Sequence, residues 1–158
     1  MTDARFEDGA EAPLHLKAMA AEDVPILSAL IQDAVLPVTE ISWLPRQRRV
    51  ALLLNRFRWE DASAAARRGR PYERVQSVLA VEDVMAVRSQ GIDRSDTELV
   101  LSVLALEFTP GADGAGTLTL TLAGDGAIAL EVEALEVTLR DVTRPYVAPS
   151  GKAPRHGE

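Results

Sequence analysis

Residues 99–108, 117–123 and 127–132 each alternate apolar with polar side chains along the chain. Leu118, Leu120 and Leu122 then fall on one side of a pleated strand, with Thr117, Thr119 and Thr121 on the other. Ile128, Leu130 and Val132 repeat the arrangement on the way back. Gly124-Asp125-Gly126 lies between them, a tight connection in which glycine takes positive φ without a Cβ clash. The pattern predicts a hairpin and a neighbouring strand with one buried face.

Upstream, residues 14–19 alternate as a short first strand. A helix is predicted next: Asp23 caps it, Pro25 suits a first turn, and Val24, Leu27, Leu30, Ile31 and Ala34 recur at helical spacing. Ser28, Gln32 and Asp33 lie on its opposite face, and Pro37 bars its continuation. Residues 38–44 and 49–57 read as a hairpin around Pro45-Arg46-Gln47, with Val50, Leu52 and Leu54 on one side and Ala51 and Leu53 on the other. A helix over 50–57 fits the same short run. Residues 60–70 read as an exposed loop, and 74–81 and 84–89 as strands joined at Glu82-Asp83. Residues 133–142 fit two periods. Leu135, Leu139 and Val142 share a helix face, whereas Leu135, Val137 and Leu139 share a strand face. The fold class expected is α+β: a mostly antiparallel curved sheet or partly closed barrel with an amphipathic N-terminal helix. With a C-terminal helix over 133–142, the element order becomes that of a pleckstrin-homology-like barrel, an analogy that supplies no function.

A length of 158 residues fits one domain able to bury about 70% of its unfolded surface. That domain is expected over 14–142, with 1–13 and 143–158 as disordered tails rich in acidic residues, or in proline and glycine. No basic, apolar leader opens the chain and no stretch approaches the roughly 18 apolar residues of a membrane span, so a cytoplasmic protein is expected. The chain has no cysteine, which excludes disulfides, thiol nucleophiles and thiolate metal sites. The net charge of −7 is unevenly spread. Residues 46–74 hold nine arginines against Glu60, Asp61 and Glu73, a local +6, which leaves −13 for the remainder.

The blocks LSALIQDAV (27–35), RVALLLNRFRW (49–59), VMAVRSQGID (84–93) and LSVLALEF (101–108) resemble an uncharacterised alphaproteobacterial family, domain of unknown function 2948. The similarity spans about 14–145. It implies a single stand-alone small domain and carries over no catalytic residue, substrate or cofactor.

Candidate chemistry is sparse. His15 sits between Leu14 and Leu16 and faces outward; His156 lies in the tail, and neither has a partner for nucleophilic catalysis. Asp93, Asp96 and Glu98 crowd a turn without the ligand spacing of a calcium loop. Glu131 and Glu133 share a strand side, as a solvated face requires. The glycines of 111–116 have no helix behind them and no lysine, so they form no phosphate cradle. Trp43 and Trp59 flank the 38–57 hairpin, with Asn55 as the expected acceptor for an indole N–H. The sequence assigns no catalytic residue, no metal ligand and no cofactor.

The arginine segment stands above this background. Arg46, Arg48, Arg49, Arg56, Arg58, Arg67, Arg68 and Arg70 are the candidate partner-binding residues, since guanidinium offers forked donors to carboxylate or phosphate. The function expected is a non-enzymatic protein-interaction domain that docks an acidic protein surface, or a second copy of itself as a homodimer. Weak RNA or ribosome binding is the alternative, opposed by the acidic remainder; an enzyme built on carboxylates or a bound metal is the third class. No membrane partner is expected.

Overall fold

A computed structural model describes residues 13–61, 67, 73–93 and 95–147. In chain order the elements are β1 (His15–Ala18), α1 (Val24–Ile31), β2 (Val35–Pro37), β3 (Ile41–Leu44), β4 (Arg49–Phe57), β5 (Glu73–Val81), β6 (Val84–Gln90), β7 (Val100–Pro110), β8 (Gly116–Leu122), β9 (Gly126–Val132), β10 (Val137–Asp141) and β11 (Tyr146–Val147). Hydrogen-bonded neighbours run β1-β10-β5-β4-β2-β7-β8-β9-β6, with β11 added to β5 and β3 to β4; every pairing is antiparallel. The two ends of this path, β1 and β6, do not pair with each other. The described residues therefore form mainly antiparallel sheet, with α1 as a short helix, and the sheet is not closed.

The alternation near the C-terminus forms as the pattern predicts. Leu118, Leu120 and Leu122 of β8 and Ile128, Leu130 and Val132 of β9 are all buried. Gly124 and Asp125 both take positive φ in the connection, and Leu122 pairs with Gly126. These side chains share one core with Val50, Leu52 and Leu54 of β4 and Leu79 and Val81 of β5, so the sheet curls over on itself. Helix α1 lays Val24, Leu27 and Ile31 into the same core, against β7 and β4. Two bulges add to the curvature. One lies between Val84 and Ala86 of β6, the other between Val103 and Ala105 of β7. The extra residues, Met85 and Leu104, turn outward and stand exposed.

Several expectations need correction. Residues 133–142 do not form a helix: Val137 to Asp141 is a strand, and Leu139 lies between Leu79 and Leu16 in the sheet. The pleckstrin-homology-like order fails with it. The 49–57 run is a strand throughout, while Val38–Glu40 is a 3-10 turn rather than part of β3. Asp23 makes no capping side-chain bond, because it belongs to a 3-10 turn, Ala21–Asp23, that leads directly into α1. The helix ends well before Pro37. Gln32 turns extended and Asp33 takes a φ of +65°, so Ala34 is buried beyond the helix. Ser28 does not face water freely, since its Oγ accepts the Leu106 backbone N–H at 2.9 Å. Strands β5 and β6 are consecutive but not partners; Asp83, at a φ of +56°, swings the chain from one half of the sheet to the other. Tyr146 and Val147 pair with Arg74 and Glu73, so the sheet extends into the segment expected to be tail.

Candidate functional site

The arginine segment separates into three populations. Arg56 follows Val50, Leu52 and Leu54 on the inward side of β4 and is completely buried (0% exposed). Its Nε donates to Ser77 Oγ at 2.9 Å, and its Nη1 and Nη2 grip Glu60 Oε1 and Oε2 at 2.9 and 2.8 Å. Nη2 also donates to Asp141 Oδ1 at 3.0 Å, and Nη1 to the Phe57 carbonyl at 3.3 Å. Ser77 donates onward to Asp141 Oδ1 at 2.6 Å, and the Leu14 N–H donates to Asp141 Oδ2 at 2.8 Å. This network ties β4, β5, β10 and the segment before β1 into one end of the sheet. Burial pulls the Arg56 pKa down, but the hydrogen bonds and charges of Glu60 and Asp141 outweigh it, and the guanidinium titrates above its ordinary value. Arg58 is likewise buried, with its Nη1 2.5 Å from Glu73 Oε1.

Expected on a docking surface, Arg56 and Arg58 are thus interior, each paired to carboxylate because a buried cation without a partner is costly. Arg48 and Arg49 sit at the surface in ion pairs with Glu133 and Glu82. Arg46 and Arg67 are exposed; Arg68 and Arg70 lie outside the described residues. Among the six described, Arg56 and Arg58 are buried, whereas Arg46, Arg48, Arg49 and Arg67 lie at the surface.

The remaining sequence candidates stay apart. His15 is exposed on β1, and His156 lies outside the described residues. Asp93 accepts from the Ser95 hydroxyl and N–H, Asp96 from the Glu98 N–H, closing successive local turns. Those Ser95 bonds, the hydroxyl's first, hold the Asp93 carboxyl below the usual carboxylate range. Glu131 pairs with Arg88 and accepts from Thr117 Oγ1. Among the described residues no group of histidines and carboxylates is placed to hold a metal ion, and no helix is long and apolar enough to cross a membrane. The Trp59 indole donates to the Gln32 carbonyl at 2.9 Å and packs edge-on against Phe57. Asn55 is not its acceptor; the Asn55 Oδ1 is buried without a partner.

What the residue pattern does not announce is a hollow. Between the inward faces of β3–β5 and β6–β9 lies a cavity of about 340 Å³. Leu52 and Leu79 contribute from one side, Leu118, Leu120, Ile128 and Leu130 from the other, and Leu106 from β7. Its mouth lies where β3 and β6, each hydrogen-bonded on one side only, leave an unpaired edge. There the lining consists of Val38, Ile41, Trp43, Val87, Ser89 and Ile92, all more exposed than the interior leucines. Among the described residues that line it, fourteen are apolar, one is a serine and none is charged. A more open hollow beside α1, lined by Pro25, Ser28, Gln32, Leu104 and Phe108, is a surface groove whose Ser28 hydroxyl is already engaged.

The cavity is a partly open, mainly apolar hollow whose described lining side chains offer the Ser89 hydroxyl and the Trp43 indole N–H at the rim. It can hold a small apolar molecule, and its lining offers neither an ionisable group for proton transfer nor a nucleophile set beside a base. No curated protein and no solved structure matches the chain. A family profile described as protein of unknown function (DUF2948) matches residues 14–156, and with nearly the whole chain covered, the protein belongs to that family.

Proposed function

We propose that this protein is a non-enzymatic binding domain that takes a small apolar molecule into the cavity between the two halves of its sheet. The observation that carries the proposal is the volume together with its lining. Interiors of folded domains are close-packed, with few voids larger than a water molecule. Apolar walls held apart forgo packing contacts that a ligand seated between them would restore. Each buried water needs about 2–4 polar partners, and the described lining side chains supply only the Ser89 hydroxyl and the Trp43 indole N–H. A cavity of roughly 150 Å³ suffices for benzene, so this one accommodates a larger ring system or a medium-length chain. An arginine-led surface for an acidic protein or RNA is the weaker alternative, since Arg56 and Arg58 are interior and Arg48 and Arg49 already have carboxylate partners.

Titration with N-phenyl-1-naphthylamine, a neutral probe that fluoresces in apolar surroundings, tests the proposal. Saturable one-site fluorescence is expected for the full chain. It should be abolished by Leu120→Trp, which fills the interior, and by Ile92→Trp, which obstructs the mouth from a half-buried position. Circular dichroism establishes that each variant is folded. Absence of saturable binding, or undiminished binding in a folded variant, overturns the proposal.

A further inference from the structure

We infer that the ligand is uncharged and carries one hydrogen-bonding group at its end, held at the mouth by the Ser89 hydroxyl. This rests on the cavity being a ligand site, and it follows from the two features of the lining that volume alone does not use. The first is charge. Among the described residues no acidic or basic side chain lines the cavity. An ionised head drawn inside would lose its hydration with no opposite charge to replace it, a cost far larger than any apolar gain. The arginine nearest in sequence to Ser89 is Arg88, which alternation directs to the outer face, where it pairs with Glu131. Fatty acids and other anionic amphiphiles are therefore disfavoured even though the hollow would suit their tails.

The second feature is the placement of Ser89. It lies on β6 opposite Ile128 of β9, on the same inward row as Val87. Every other described position on the cavity wall is filled by an aliphatic side chain or by Trp43, whose indole N–H can donate but not accept. Ser28 accepts a backbone N–H, Ser77 bridges Arg56 and Asp141, and Ser95 donates to Asp93, whereas Ser89 has no protein partner among the described residues. Its hydroxyl is both donor and acceptor, so it serves an alcohol or a carbonyl equally. Position and depth agree: Ser89 is exposed at the rim, while Leu118, Leu120 and Leu130 lie buried behind it. A molecule with its apolar body inward brings its polar end to this residue. Ser89 is thus a specificity-determining residue for neutral, singly polar ligands such as medium-chain alcohols or ketones.

The test is competition against the naphthylamine probe by octane, octan-1-ol and octanoate, at about pH 8 where the acid is fully ionised. Octane and octan-1-ol should both displace the probe, and octanoate should need at least about tenfold more than octan-1-ol. Replacing Ser89 by alanine should weaken octan-1-ol about threefold to tenfold, the range of one ordinary hydrogen bond, and leave octane within about twofold. Ser89→Thr keeps the hydroxyl and should retain the alcohol affinity. If Ser89→Ala weakens octane as much as octan-1-ol, or octanoate competes as well as the alcohol, the inference is overturned while the cavity reading stands. If none of the three displaces a bound probe, the inference falls; if the probe itself does not bind, both fall.

Discussion

At the scale of single residues, Arg56 is where charge and packing are most tightly joined. Its five N–H donors are distributed over Ser77, Phe57, Glu60 and Asp141, and Asp141 is itself only 3% exposed. Removing one member of a buried pair leaves the other without compensation, which costs about 3–5 kcal/mol. Arg56→Met should lower the free energy of urea unfolding by that amount, whereas Arg46→Ala, at an exposed position, should stay within about 0.5 kcal/mol. Equal, small effects for the two would show that the network contributes nothing. Because its pKa is raised on folding, the contribution of Arg56 is complete below its unfolded value. It is lost only as pH rises through the higher folded value, in strong alkali. The burial of this arginine was legible in principle. Arg56 keeps the parity of Val50, Leu52 and Leu54; Ser77 keeps that of Leu79 and Val81, and Asp141 that of Val137 and Leu139. Three polar residues continuing three buried rows signal a buried polar cluster, a signal obscured when the arginines are counted as one charged segment.

Among the elements, what the pattern conveys and what it hides are separated by range. The β8–β9 hairpin is legible because its register follows from its own alternation and a short turn. Residues 133–142 are ambiguous because Glu133, Glu136 and Arg140 suit a helix. What decides them is pairing with Leu79 and Leu16, remote in sequence. The helix is legible in its apolar stripe but not in its end, which is set by backbone bonds from the Asp33 N–H to the Val103 carbonyl and from the Val103 N–H to Ala34. Glycines show the same division. A Cβ at Gly116 would come within 2.5 Å of the Thr109 carbonyl oxygen and 2.6 Å of the Phe108 ring, so the close approach of β7 and β8 depends on its absence. Gly124 has a φ of +80° but open space around it. Gly116→Ala should cost about 1–3 kcal/mol through forced displacement of β7, and Gly124→Ala about 1 kcal/mol through backbone strain alone. Chemical denaturation of the two variants checks the order, and a larger loss at Gly124 would contradict it.

For the molecule as a whole, the cavity is a consequence of curvature that no local pattern contains. Leu118, Leu120, Ile128 and Leu130 read identically whether the opposite wall touches them or stands away, so the same alternation describes a packed core and a binding hollow. The more exposed part of the lining lies on or beside β3 and β6, strands that each pair with one neighbour. Strands paired on one side open by local fluctuation more readily than the interior pairs β4–β5 and β8–β9. A ligand seated between their inward faces opposes that opening directly, whereas β1 and β11, which contribute nothing to the lining, fluctuate independently of it. Saturation with octan-1-ol should therefore slow amide hydrogen exchange in β3 and β6, with β1 and β11 unchanged. Interior strands that exchange only through global unfolding should slow by the factor 1 + L/Kd, with L the free ligand concentration. Protection confined to β1 and β11, or absent from both β3 and β6 at saturation, would place the ligand elsewhere on the protein and remove the cavity from its function.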